Sequence, residues 1–341
     1  MSKKLKYINE NYKELPELPS SLKELYIINN LLLEKIPELP SSLEELYISD
    51  NPLLKTLPKL PKTLKYFQCI DNPLLTTLQE LPFNLHVLEC NNNPLLTELP
   101  KLPTSLDTLF CHSNPLLITL PELPKTLKYF QCNNNLLLET LPKLPKTLKY
   151  FQCINNPLLE RLPELPSSLD ILFCNNNLLL ERLPKLPCNL EKLYCNNNLL
   201  ITELPELPST LTYLYCYNNP LLETLPVLPS NLKYLYCNVN PLLERLQKLS
   251  SSLVYLECNN NPLLEILPEL PSSLQYLFCI NNPLLTTLPR SIIYCKKIYN
   301  HKKYNDLKYL NSLPYLVNKC IEEYYYKPIM DYYNSKYLKY V

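Results

Sequence analysis

LKYFQCINNPLLERLPELPSS, residues 148–168, runs directly into LDILFCNNNLLLERLPKLPCN, residues 169–189, and the two align without a gap. The same 21-residue repeat recurs thirteen times, its first leucine standing at Leu22, Leu43, Leu64, Leu85, Leu106, Leu127, Leu148, Leu169, Leu190, Leu211, Leu232, Leu253 and Leu274. A fixed period of this length marks a solenoid, in which each repeat buries its apolar face only by stacking on its neighbours. Numbering positions 1 to 21 from that leucine, positions 1, 4 and 6 are apolar with variable residues between them. This is the period-2 alternation of a short strand with one buried face. Stacked strands would make a parallel ladder about 4.8 Å apart, roughly 60 Å for the whole array.

Position 9 is asparagine in every repeat, from Asn30 and Asn51 through Asn156 and Asn198 to Asn282. A short amide at the end of a strand can hydrogen-bond backbone groups that would otherwise be buried unsatisfied, so Asn156 and Asn198 are read as structural. The back of each repeat is L-P-x-L-P, as in Leu141, Pro142, Leu144 and Pro145. Two prolines forbid a regular helix and favour extended or polyproline-like backbone with the leucines turned inward. Glycine is absent altogether. Turns must therefore rely on asparagine, which tolerates left-handed backbone better than most residues.

Position 6 is cysteine at Cys69, Cys90, Cys111, Cys132, Cys153, Cys174, Cys195, Cys216, Cys237, Cys258 and Cys279, and isoleucine at Ile27 and Ile48. A site that accepts either residue wants a small apolar filler, so Cys153, Cys195 and their neighbours are read as a structural column of free thiols. Side chains stacked in one direction do not converge on a metal, and an odd column of eleven cannot pair completely as disulfides. No metal or cofactor is expected. Cys188, Cys295 and Cys320 lie outside the column, with Cys188 expected on the exposed back face.

Positions 3 and 5 should point outward from the sheet, and there the aromatics gather in the last repeats. Tyr213, Tyr234, Tyr255 and Tyr276 follow one another at position 3, beside Tyr194, Tyr215, Tyr236 and Phe278 at position 5. At strand spacing these form a ridge, the candidate binding surface, because tyrosine supplies large contact area at low entropic cost. The competing reading is that the rings only stabilise the strands. Position 7 adds His112, Asn133, Asn175, Asn196, Tyr217, Asn238 and Asn259 as hydrogen-bonding groups along the rim.

On Leu190, Leu193, Cys195, Asn198 and Leu200, then Leu204, Pro205, Leu207 and Pro208, the chain resembles leucine-rich-repeat proteins. It is similar to the short, proline-containing type found in secreted effectors of bacterial pathogens, and to repeat proteins of giant DNA viruses and amoebae. The resemblance spans residues 15 to 292. It implies a curved horseshoe solenoid with a parallel β-sheet on the concave face, extended or polyproline-like convex turns, and a binding role for the concave sheet. The expected organisation is a degenerate N-terminal repeat and cap at 1–21, thirteen repeats over 22–291 with the last shortened after Pro289, and a tyrosine-rich C-terminal cap at 292–341. In that cap Ile292-Ile293-Tyr294-Cys295 reads as a strand, and 305–310 and 321–326 permit short helices. The 45 or so residues after the repeats are too few for the ubiquitin-ligase domain of some effectors, and Cys320-Ile321-Glu322 lacks the cysteine-x-aspartate pattern of those ligases. The absence of the helical hairpin that precedes effector repeats favours a viral or amoebal origin.

Thirty-three basic and 32 acidic side chains leave a net charge of +1, which provides no general field toward nucleic acid or an anionic membrane. No apolar stretch is long enough for a membrane span, and the first ten residues lack the core of a secretion signal. Three histidines, His86, His112 and His301, supply little acid–base machinery, and no catalytic constellation emerges. The sequence thus reads as a non-enzymatic monomer of the cytoplasm, including a host's cytoplasm, binding a protein partner. The alternative is a structural or particle-associated repeat protein without a ligand.

Overall fold

The computed structural model describes residues 3–299, and the chain divides into two compact segments, Met1–Leu178 and Leu179–Val341. In the N-terminal segment β1 (Lys4–Ile8), β2 (Glu24–Ile28), β3 (Glu45–Ser49), β4 (Tyr66–Ile70), β5 (Val87–Glu89), β6 (Thr108–Phe110), β7 (Tyr129–Gln131), β8 (Tyr150–Gln152) and β9 (Ile171–Phe173) lie side by side in chain order. In the C-terminal segment β10 (Lys192–Tyr194), β11 (Tyr213–Tyr215), β12 (Tyr234–Tyr236), β13 (Tyr255–Glu257), β14 (Tyr276–Phe278) and β15 (Lys297–Tyr299) do the same. Neighbouring strands in each are parallel and pair one repeat apart, as in Leu88↔Leu109 and Leu214↔Leu235. Each segment is a parallel β-solenoid with its sheet on one face and extended turns on the other.

The columns read from the sequence pack as expected of a shared core. Leu106, Leu109, Cys111 and Leu117, at positions 1, 4, 6 and 12, are all 0% exposed, and the back leucines Leu99 and Leu102 are buried beneath them. Phenylalanine replaces leucine at position 4 in Phe67, Phe130 and Phe151, and the rings of Phe130 and Phe151 stack at 5.3 Å. Fully burying one such side chain contributes about 1.5–3 kcal/mol, so the regular columns supply the main favourable term in every repeat. The L-P-x-L-P stretch contains neither helix nor strand.

The ninth-position asparagines link repeat to repeat. The side-chain amide of Asn114 donates to the carbonyls of Cys90 at 2.9 Å and Cys111 at 3.0 Å, while its oxygen accepts the backbone N–H of Asn93 at 2.9 Å. The same step, backbone N–H to the next asparagine's oxygen, runs from Asn30 to Asn177 in one segment and from Asn198 to Asn282 in the other. Asn198 donates to the Cys195 carbonyl at 2.8 Å. Asn156 accepts from Asn135, but its buried amide nitrogen finds no acceptor. A second ladder, not evident from the repeat consensus, runs along position 21. There Thr126 shares its hydroxyl hydrogen between the carbonyls of Thr104 at 2.8 Å and Leu106 at 2.7 Å, and Thr63, Ser105, Thr147 and Thr210 act alike.

The left-handed residue of each turn is at position 8, next to the invariant asparagine. Asn29, Asp50, Asp71, Asn92, Asn134, Asn155, Asn176, Asn197, Asn218, Asn260 and Asn281 all have φ between 54° and 61°. Asparagine and aspartate visit this region readily because their short polar side chains bond locally. Val239 has the same conformation at φ 57°, where a β-branched side chain is strained. Val239→Asn is expected to stabilise the C-terminal segment by about 1 kcal/mol, raising Tm by a few degrees. An unchanged or lower Tm in a thermal melt would show that Val239 stores no strain.

Both ends differ from the simple repeat. β1 pairs with β2 at a spacing of 20, Leu5↔Leu25, yet Glu14 bridges Lys35 at 21, so the first turn is one residue shorter between Ile8 and Glu14. At the other end Arg290–Tyr294 forms a 3-10 turn, in place of the strand read at Ile292–Cys295. The strand is β15, paired through Tyr276↔Lys297, so the 21-residue spacing continues where the sequence reading shortens the last repeat. The ladder is made by backbone groups, with Lys296 and Lys297 N–H both donating to the Gln275 carbonyl at 3.0 Å, and it tolerates Cys295 in the place of the usual leucine. His301, Cys320 and the two short helices lie outside the described residues.

Candidate functional site

Burial of positions 4 and 6 forces positions 3 and 5 onto the opposite, solvent-facing side of each strand. In the C-terminal segment this brings all eight expected aromatics together as half-buried rings. Tyr213 and Tyr234 stack with centroids 4.5 Å apart and planes 5° from parallel. Tyr194 and Tyr215 stack at 4.5 Å, and Tyr215 and Tyr236 at 4.1 Å. Lys192 closes one end, its ammonium 5.1 Å from the Tyr213 ring centroid.

The two columns merge at Tyr255. Glu257 occupies position 5 between Tyr236 and Phe278, leaving a gap in the aromatic column. Tyr255 leans into it, so its ring lies 4.8 Å from Tyr236 and 5.3 Å from Phe278, against 6.5 Å and 6.1 Å from Tyr234 and Tyr276 in its own column. The Tyr255 hydroxyl donates to Glu257 Oε2 at 3.2 Å, and Asn259 Nδ2 donates to Oε1 at 3.3 Å. Burial, then the Glu257 carboxylate, push the Tyr255 phenol up to about 12. Burial raises Tyr194, Tyr215 and Tyr236 as well, so these phenols keep their protons, and their donor capacity, at neutral pH.

The rim differs from its sequence reading. Asn133 and Asn196 are buried, not free for a ligand. Where the bonding of this column is resolved, the amide oxygen holds the next repeat: Asn133 accepts the Ile154 N–H at 2.9 Å and Asn259 the Ile280 N–H at 2.7 Å. Polar residues at a strand end are recruited by backbone donors that have left the ladder. Asn238 is the exception; its buried side-chain oxygen has no donor, beside the strained Val239.

A second aromatic stack, in the N-terminal segment, was not singled out by the sequence. Tyr26 and Tyr47 stack at 4.3 Å and 6°, with Tyr66 4.8 Å beyond. Its signal is the repeated Glu-Leu-Tyr of β2 and β3, which sets Glu24 and Glu45 beside the rings. Lys4 Nζ lies 2.6 Å from Glu24 Oε2, 3.2 Å from the Tyr26 hydroxyl and 4.5 Å from the centre of the Tyr26 ring.

The cysteine column is fully enclosed. All eleven members are buried and outside any disulfide, whereas Cys188 is exposed. Burial pushes the Cys69 and Cys195 thiols up to about 12 and raises Cys153 strongly. A protonated, enclosed thiol neither attacks nor ligates. Among the described residues no group of three or more His, Cys, Asp or Glu could hold a metal ion, and no helix is long and apolar enough to cross a membrane. His86 is exposed, and burial lowers the pKa of half-buried His112.

The Leucine Rich Repeat family model matches residues 42–64. YopM, a leucine-rich effector protein of Yersinia pestis, is 31% identical over 88% of this chain and 88% of its own, with a TM-score of 0.64. YopM from Yersinia enterocolitica is 27% identical over 88% and 91%, with a TM-score of 0.40. The leucine-rich-repeat protein LIC12759 of Leptospira interrogans shares the fold, at 23% identity over 89% and 92% and a TM-score of 0.52. No curated protein matches the chain. A 21-residue parallel ladder, leucine columns on its buried side and a related solved structure above 30% identity agree: the chain belongs to the leucine-rich-repeat family.

Proposed function

We propose that the protein is a non-catalytic interaction scaffold that captures a protein partner on the ridge formed by Tyr194, Tyr213, Tyr215, Tyr234, Tyr236, Tyr255, Tyr276 and Phe278. Its fold and its relationship to leucine-rich-repeat proteins support a general interaction or structural scaffold role. The observation that carries the finer reading is the continuity of the rings, stacked at 4.1–4.5 Å through Tyr194, Tyr215 and Tyr236. Rings already immobilised by one another lose little entropy on binding. Residues 1–21 and 292–341 are assigned as caps, the repeats to the short proline-containing type, and the setting to a reducing cytoplasm, a host's included. The second reading, a structural protein without a ligand, draws on the same stacking, since parallel rings also stabilise the strands beneath them.

The discriminating variant is Tyr213→Ser, Tyr234→Ser, Tyr255→Ser in one chain. Pull-down from host-cell lysate is expected to retain a protein with the intact chain and lose it with the triple variant, circular dichroism being unchanged. Equal capture by both would remove the ridge as the binding surface and favour the structural reading.

A further inference from the structure

We propose that Glu257 anchors a cationic side chain, arginine or lysine, presented by a basic segment of the protein partner. The inference rests on the ridge being an interaction face and specifies what that face selects. From β11 to β14, Glu257 is the single charged residue at positions 3 and 5, where every other residue is aromatic. Its two oxygens each take one hydrogen bond from a neutral donor, Tyr255 and Asn259. A carboxylate has about four acceptor sites, so half of that capacity is unused. Among the described residues no lysine, arginine or histidine forms an ion pair with it; the three ion pairs found all belong to the N-terminal segment.

The two faces of Tyr236 beside this carboxylate are covered by Tyr215 at 4.1 Å and Tyr255 at 4.8 Å, so the carboxylate itself, with the Tyr255 phenol against it, carries the attraction for a cation. The protein displays the completed arrangement elsewhere with its own side chains. Lys4 is held at once by the Glu24 carboxylate, the Tyr26 hydroxyl and the face of the Tyr26 ring. Lys192 likewise rests over Tyr213. Around Glu257 the carboxylate and the Tyr255 phenol are present, and the cation is not supplied by the described chain. A guanidinium fits best, since it can donate two parallel N–H groups to the carboxylate. A neutral or acidic segment covering the ridge would instead desolvate Glu257 without compensation, so the same residue disfavours such partners.

The test uses the full chain and a fluorescein-labelled hexa-arginine peptide, with hexa-glutamate as its counterpart, read by fluorescence anisotropy at physiological ionic strength. Hexa-arginine is expected to bind and hexa-glutamate not to. Glu257→Gln, which keeps the size of the side chain, should weaken hexa-arginine at least about tenfold, as loss of a charge-assisted pair predicts. Glu206→Gln, on an exposed back turn, should leave it unchanged. Glu257→Lys should abolish binding with the circular dichroism spectrum retained. No binding of hexa-arginine to the natural chain, or equal binding by the Glu257→Gln variant, overturns the proposal. In the lysate pull-down, capture lost with the triple serine variant but kept by Glu257→Gln overturns the cation assignment and leaves the ridge standing. Capture kept by both overturns the two together.

Discussion

Replacing Asn114 with alanine is expected to destabilise the N-terminal segment by about 3 kcal/mol or more, because three enclosed backbone groups lose their partners at once. The Cys90 and Cys111 carbonyls lose the amide donor, and the Asn93 N–H loses its acceptor. Asn114 is 0% exposed, so water does not replace the amide without opening the turn. Asn156→Ala is the informative comparison. Its amide nitrogen has no acceptor, so alanine removes one orphaned donor and costs only the bond from Asn135. Its loss should therefore be smaller, by about 1 kcal/mol or more. Urea titrations of both variants check this; equal midpoint shifts would show that the amide-to-carbonyl bonds contribute nothing net. In a solenoid each repeat touches only its neighbours, so the damage should stay local, lowering the denaturant slope or splitting the transition instead of shifting one cooperative step.

Alkaline unfolding should be unusually steep. Burial raises the thiols of Cys69, Cys90, Cys111, Cys132 and Cys153 in the N-terminal segment, and of Cys195, Cys216, Cys237, Cys258 and Cys279 in the C-terminal segment. Their ordinary value is 9.0, while Cys69, Cys195 and Cys279 reach about 12 when folded. Above the ordinary value the unfolded chain has released protons that the folded chain still holds. The unfolded state then binds fewer protons, the slope of stability against pH is negative, and stability complete below that value is lost as pH climbs toward the folded one. Each thiol withdraws about 1.4 kcal/mol per pH unit in that window, and five in one segment withdraw about 7 kcal/mol together. Melts followed by circular dichroism should show Tm collapsing between about pH 9 and about pH 10.5. Cys132→Ile, copying the residue of Ile27 and Ile48 in the same column, should reduce the proton uptake on refolding by one. A Tm that stayed level across this range would contradict the enclosed state of the column.

Much of this architecture is legible before any packing is considered. Leucine, cysteine and asparagine at constant spacing permit one register only, since a slip of a single residue would turn every buried side chain of a strand outward. The burial of Leu109 and Cys111, the outward placement of Tyr213 and Tyr234, and the proline-bound back turns all follow from that.

Other features depend on contacts that a period does not encode. The ninth-position asparagine is the invariant residue, yet the neighbouring eighth residue takes the left-handed backbone, because closing the turn fixes a torsion and not an amino-acid type. The polar rim looked available, but backbone donors freed at the strand ends claim Asn133 and Asn259. Spacing aligned Tyr255 with Tyr234 and Tyr276; the smaller Glu257 let its ring rotate toward Tyr236 and Phe278, and made a carboxylate in an aromatic frame. The docking of Lys4 on Tyr26 has the same origin. A repeat determines where each Cβ stands, whereas side-chain torsions answer to the size and charge of whatever neighbour folding brings beside them.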